Sequence, residues 1–388
     1  MYYSKEYEKV ITWIPKLIPY KPKITIGMNE ESLLIRIYRD ILEGIKYAKG
    51  IMRKCKVKTI HKDMTYPSKS MFIPDEIINV IHTSMHSQII YTCSFLGRTI
   101  LIHVGVLNPI SKTEMDERIR LMYSWLYVCH KYSKYECTRT LNIYIYFTEH
   151  KKLFPTDDNT VLHASHANTA YTYACAIHNT MVIYRSEEWF KVFIHECLHA
   201  YGFEPSDKNE IRLSRGLSER ISIPSKVRVS ETYVETWARI INICYNAILK
   251  SKNFKEFLRL ATFYLNVESI FSTIQASRIL KYMKLSYHDV IHVQSPITRL
   301  NYKENTHIFA YYILTSVLMH KPLKLLVWCN TNNPNWLEFN NEVYSVATFE
   351  SLLMNALYDE TYHSFIQHCH TNIHWNDIGM CHTIIKTI

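Results

Sequence analysis

Glycine is scarce in this chain, 8 among 388 residues, and no low-complexity tract or internal repeat accompanies the shortage. That excludes collagen-like segments and long flexible linkers, both of which need glycine in bulk. Long apolar runs are missing too. Every candidate is interrupted by Lys, Arg, Asp, Glu or His before it reaches membrane-spanning length, so no membrane partner is expected. The opening residues, MYYSKEYEKVITWIPKLIPYKPK, lack the basic, apolar and small-residue order of a secretory signal, which makes an intracellular setting the expectation. Ten cysteines are scattered singly from Cys55 to Cys381 with no CxxC pair. This excludes a zinc-ribbon framework and a dense disulfide scaffold, and points to buried, reduced thiols.

What is present is the composition of an ordered globular protein, 47% hydrophobic and 21% charged, long enough for two or three subdomains around a substantial core. Lys and Arg exceed Asp and Glu by 45 to 35, a formal charge of +10 that could draw an acidic partner. The excess is dispersed, however. Its longest patch, RKCKVKTIHK from Arg53, is short and has no interleaved aromatics, so nucleic acid is not the expected partner.

Periodicity then sets out the elements. NEESLLIRIYRDILEGIKYAKGIMRKCK reads as an amphipathic helix capped by Asn29, with Leu33, Leu34, Ile37, Ile41 and Ile45 on its packed face. SQIIYTCSFLGRTILIHVGVL, from Ser87, reads as two strands joined near Gly97, followed by a helix from Lys112 and a strand from Arg139. NTAYTYACA from Asn168 and TMVIYR from Thr180 are two further strands. Ser186 can cap the next helix, 187–201, which Gly202 terminates. The stretch Glu204–Val229 has no clean period and reads as a long connection, after which the pattern is mostly helical. The expected fold is α+β: an N-terminal helical region (1–80), an α/β subdomain (81–229) with a mixed sheet, and a helical subdomain (230–388) that completes a cleft.

The chemistry lies in WFKVFIHECLHAYGFEP. His195 and His199 are four apart, so on a helix they share one face and can aim at one point, where a single Zn²⁺ would fit. Glu196 projects about 100° round the helix, beside that point, where a carboxylate can act as general base and then acid. This is the HExxH arrangement of metal-assisted peptide hydrolysis. A catalytic site needs a third protein ligand. Pro205 stands where a HExxHxxGxxH pattern would require histidine, which excludes that branch. SETYVETWA offers Glu231 and Glu235 instead, four apart on one helical face. One can bind the metal while the other accepts the free N–H of a ligand histidine. Glu204, Asp207, Glu210 and Glu219 are weaker candidates in the unpatterned connection. A second group, His363, His368, Cys369, His370 and His374, has ligand types that suit zinc but spacings that match no framework.

Thr180–Gly202 together with Ser230–Ala238 resembles the zincin metallopeptidases of the glutamate-ligand kind, the gluzincins. Matched position by position, the resemblance implies Glu231 as the third ligand and Glu235 as the partner of a ligand histidine. It also implies an edge strand beside the active-site helix that holds substrate backbone, a place that Asn168, Thr169, Ala170 and Tyr171 fit. A tyrosine or histidine from the helical half would serve as oxyanion donor. Of Tyr311 and Tyr312, in NTHIFAYYILTSVLM, Tyr311 is the choice. The run VIYRSEEWFKVFIHECLHAYG further resembles metallopeptidases of large DNA viruses, which implies host cytoplasm or the virion as the setting. The 31 residues between His199 and Glu231 are more than the best-known gluzincins have, which leaves the third ligand less fixed than the histidines. The expected activity is zinc-dependent hydrolysis of peptide bonds in extended polypeptide. The alternative is a catalytically silent zincin-fold protein with a structural or interaction role.

Overall fold

The computed structural model describes residues 12, 14–61, 67, 72–157, 159–293, 295–372 and 379–387. Its contacts divide the chain into two interleaved units: one takes the described residues up to Ile35 with Leu153–Ala167 and Glu204–Lys386, the other Arg36–Lys152, Asn168–Phe203 and Thr387.

The second unit is built on a six-stranded mixed open sheet, ordered β1-β2-β3-β4-β6-β5. Its strands are β1 (Lys56–His61), β2 (Ser87–Phe95), β3 (Arg98–Val106), β4 (Thr140–Tyr146), β5 (Ala170–Thr172) and β6 (His178–Ile183). β1, β2 and β3 are successively antiparallel, β3, β4 and β6 are parallel, and β5 runs antiparallel to β6. The β2–β3 turn is the one expected at Gly97. Leu96 and Gly97 both have positive φ, 50° and 81°, the backbone that a two-residue hairpin loop demands. The parallel step from β3 to β4 is bridged by α3 (Lys112–Tyr132), capped by Ser111, whose hydroxyl accepts from Glu114 N at 3.1 Å. Ahead of it lie α1 (Met28–Ile51), which crosses from the first unit into the second, and α2 (Asp75–Ser84).

Two expectations about the first eighty residues need correcting. The basic patch from Arg53 is largely β1, an exposed strand paired with β2, so a strand falls within the stretch expected to be helical. Lysines suit such a strand because they discourage pairing with another chain. The first helix begins at Met28 rather than after Asn29. Glu30 reaches back to accept from Gly27 N at 3.1 Å, and Glu31 N donates to Gly27 O at 2.9 Å. The packed face holds, with Leu33, Leu34, Ile37 and Ile41 fully buried.

The first unit is helical. It contains α5 (Asp207–Ser218), α6 (Val229–Lys250), α7 (Phe254–Tyr282), a π-helical turn (Phe309–Leu314) running into α8 (Thr315–His320), α9 (Pro322–Asn332), α10 (Val343–Leu357) and α11 (Glu360–Asn372). α7 is the central helix, packed against α6, α8 and α11. The segment Met380–Ile385 is buried. It is held by main-chain bonds from Gln275 Nε2 to Cys381 O at 2.7 Å and from Asn242 Nδ2 to Ile385 O at 2.8 Å. The presumed long connection is thus partly helix. α5 buries Glu210, Leu213, Ser214 and Leu217 on one face, a stripe whose polar members hid its period. Among the described residues no helix is long and apolar enough to cross a membrane.

Candidate metal centre

The HECLH segment lies on α4 (Trp189–Ala200) of the sheet unit, which packs against α3, β5 and β6. Eleven of its twelve residues are buried, and only His199 is half-buried. An all-round apolar helix can exist only inside a core, which explains why Phe190, Val192, Phe193, Ile194 and Leu198 surround the polar residues.

Ser186 does not cap this helix. The position before Trp189 is Glu188, in a left-handed conformation (φ 59°) with no side-chain cap. Its carboxylate instead pairs with Lys152, both side chains being 0% exposed. Around that pair, Ser186 N donates to Thr148 O at 2.9 Å and Lys152 N donates to Glu187 Oε2 at 3.0 Å. The start of α4 is therefore fixed by the segment that leaves β4. Its end is fixed by Gly202, as expected. With φ 70°, Gly202 lets its own N–H reach His199 O at 2.9 Å and Phe203 N reach Leu198 O at 3.0 Å.

Between these anchors the two histidines converge. Their Nε2 atoms are 3.2 Å apart, with ring planes inclined at 65°. Two nitrogens bound to one zinc at about 2.05 Å with a tetrahedral angle would lie roughly 3.3 Å apart, so the pair is spaced as ligands of one ion. His195, His199 and Glu231 form the one group, among the described residues, that could hold a metal: their ligand atoms all lie within 4.8 Å of one another. Two histidines and a glutamate are a donor set known for catalytic zinc. The residues fit the ion. Cys197, inside the motif, is no competitor: burial, with Cys129 beside it, pushes its thiol well above the ordinary range and keeps it protonated.

Glu231 and Glu235 sit in the first two turns of α6. The start of that helix is held by Glu210, which the sequence had offered only as a weak ligand candidate. Glu210 is buried and accepts from Val229 N at 3.0 Å, Ser230 N at 2.7 Å and Ser214 Oγ at 2.8 Å. It saturates backbone donors that a helix start leaves open. Only its spacing of three and four residues from Leu213 and Ser214 could have signalled that face. Glu235 is 0% exposed. Its Oε1 accepts from Arg239 Nε at 2.9 Å and lies 3.6 Å from His382 Nδ1.

Tyr311, half-buried, lies on the π-helical turn. Its carbonyl accepts from Arg239 Nη2 at 3.0 Å and its ring is 5.5 Å from that of His382. In the sheet unit, Asn168 and Thr169 lead into β5, which carries Ala170 and Tyr171 at the edge of the sheet. Among the described residues it pairs with β6 alone. Tyr184 N donates to Thr169 O at 3.0 Å. Alternation along an antiparallel pair then turns Thr169 and Tyr171 toward β6, and Ala170 and Thr172 present their main-chain groups to the open side.

One pairing overturns the expectation of reduced thiols throughout: Cys137 and Cys175 form a disulfide. A separation of 38 positions concealed it in sequence. Because β4 pairs with β6, the residues before β4 meet the β5–β6 turn, and Thr138 N donates to Ala176 O at 2.9 Å. Cys175 N also donates to His199 O at 3.1 Å, so the turn is fastened to the helix end that carries a histidine of the group. In the second histidine group, His363 Nε2 bonds Leu357 O at 2.8 Å and His368 stacks on Tyr20 at 3.8 Å. His374 lies outside the described residues. No protein-family model, no curated protein and no solved structure matches the chain.

Proposed function

We propose that the protein is a zinc-dependent peptidase of the gluzincin kind, acting on peptide bonds in extended polypeptide. The observation that supports this most directly is the 3.2 Å approach of His195 and His199 Nε2 on one buried helix, with Glu196 in the intervening position. His195, His199 and Glu231 would hold the ion, which when bound supplies Lewis acidity at that point. Glu196 takes the proton of the attacking water and returns it to the leaving amine, a contribution of typically 10²–10⁴ in rate. Tyr311 donates to the oxygen that gains charge, and Ala170 on the β5 edge holds the substrate main chain as an added strand. Strand addition needs an unpaired, extended partner, so unfolded segments are the substrate class and folded proteins are not.

Glu196→Gln tests the reading. The variant should keep one equivalent of zinc, measured by elemental analysis, and lose at least about 100-fold in kcat on an unfolded polypeptide. Wild-type turnover by Glu196→Gln, or a native protein that takes up no zinc, rules the reading out.

A further inference from the structure

We propose that Arg239 and His382 are positioning residues of this site, fixing Tyr311 from its backbone and from its ring. The inference rests on the peptidase reading above and concerns residues that the sequence had not singled out.

Arg239 lies two turns beyond Glu231 on α6, wholly buried, and its fork reaches three elements at once. Nε donates to Glu235 Oε1 at 2.9 Å, Nη1 to Ser272 Oγ on α7 at 2.8 Å, and Nη2 to Tyr311 O at 3.0 Å. The last contact is one that an α-helix has no use for, since its carbonyls are bonded within the helix. A π-helical turn shifts that register, and such turns concentrate at functional sites. Here the neighbouring carbonyl, Ala310 O, is also bound from outside the main-chain ladder, by Thr315 Oγ1 at 2.8 Å and Thr232 Oγ1 of α6 at 3.4 Å. α6 therefore grips the π turn through two side chains seven residues apart, Thr232 and Arg239, which lie on one face of the helix. That helix also carries Glu231, so one rigid element sets both the candidate ligand and the candidate oxyanion donor.

His382 holds the other side. It stands in the buried segment Met380–Ile385, which Gln275, Asn242 and Tyr312 bind through its carbonyls and Glu268 binds through Ile384 N and the Thr383 hydroxyl. Its ring lies 5.5 Å from Tyr311 and 4.5 Å from Tyr312, and its Nδ1 is 3.6 Å from Glu235 Oε1. Glu235 is thus shared between the two residues that touch Tyr311.

Arg239→Lys keeps a cation between the buried carboxylates and gives up the fork. His382→Leu keeps apolar volume and gives up the ring contacts. We expect each to retain one zinc, with affinity in a chelator competition within about threefold of wild type, and to lower kcat about 10- to 100-fold with KM unchanged. Tyr311→Phe alone should cost about 10²–10³ in kcat, as loss of an oxyanion donor does. Adding either variant to Tyr311→Phe should then cost little more, because both act through the same hydroxyl. In the metal-free protein, the amides of Phe309–Leu314 should exchange faster in Arg239→Lys. Full multiplication of the effects, or wild-type kcat in the folded, zinc-loaded His382→Leu variant, overturns the proposal and leaves the zinc site intact. An inactive Glu196→Gln beside a fully active Tyr311→Phe removes Tyr311 from the reaction and this proposal with it. Active Glu196→Gln removes the peptidase reading itself.

Discussion

Replacing Lys152 by methionine should loosen the start of the histidine-bearing helix. Lys152 and Glu188 are each 0% exposed and face each other in the core of the sheet unit. Methionine fills the stem of the lysine and takes the Lys152 cation away from the buried Glu188 carboxylate. Breaking a buried pair from one side typically costs about 3–5 kcal/mol. At about 1.4 kcal/mol per tenfold, the open population at this end of α4 should rise by roughly two to four powers of ten. Neighbouring bonds, Ser186 N to Thr148 O and Lys152 N to Glu187, belong to the same junction and should open with it. Native-state hydrogen exchange reads this locally: the amides from Val192 to His195 should lose protection while those of β3 and β4 keep theirs. The double variant Lys152→Met with Glu188→Leu removes both charges and adds no β-branch at a residue with φ 59°. It should recover stability to within about 1 kcal/mol of the native protein. A single variant that costs under about 1 kcal/mol, or a double variant no better than the single, refutes the picture of a dry pair pinning α4.

Two further outcomes address the site. Glu231→Ala should abolish stoichiometric zinc binding, whereas Glu235→Ala should weaken it about 10- to 100-fold and also lower thermal stability, because Arg239 loses a buried partner; equilibrium dialysis that finds Glu235→Ala to be the metal-free variant exchanges the two roles. Ala170→Pro removes an N–H from the open side of β5 without touching the ladder to β6, so KM for an unfolded polypeptide should rise at least about tenfold with kcat preserved; an unchanged KM takes the substrate off this edge.

The sequence made the regular parts of the site legible. HECLH at helical spacing and a glycine to end the helix were enough to name His195 and His199; ExxxE at the head of a later helix offered Glu231 and Glu235 alike, and the gluzincin resemblance chose Glu231, whose ligand atom lies within 4.8 Å of theirs. Strands β2, β3, β4 and β6 were readable because alternation and turn residues bound them. Contacts between side chains far apart in sequence were not. Glu210 capping α6 depends on how two helices meet, and Lys152 meeting Glu188 and Cys137 meeting Cys175 depend on β4 lying beside β6; no local period encodes either. α5 escaped because a buried glutamate and serine interrupt its apolar stripe. The Asn29 and Ser186 caps are not used: α1 starts at Met28, with Glu30 accepting from Gly27 N, and α4 starts after Glu188, whose carboxylate pairs with Lys152.

The Cys137–Cys175 bridge gives the protein a built-in reporter. Of the eight cysteines outside it, seven are buried and Cys55 is half-buried. Within it, Cys137 is buried, and Cys175 sits on the exposed turn after β5. A bulky maleimide offered to the folded, oxidised chain therefore meets Cys55 alone. After a mild dithiol treatment it meets Cys175 as well. One added mass increment on a denaturing gel thus records whether the edge hairpin is still tied to the end of the histidine-bearing helix, before any substrate or metal has been added.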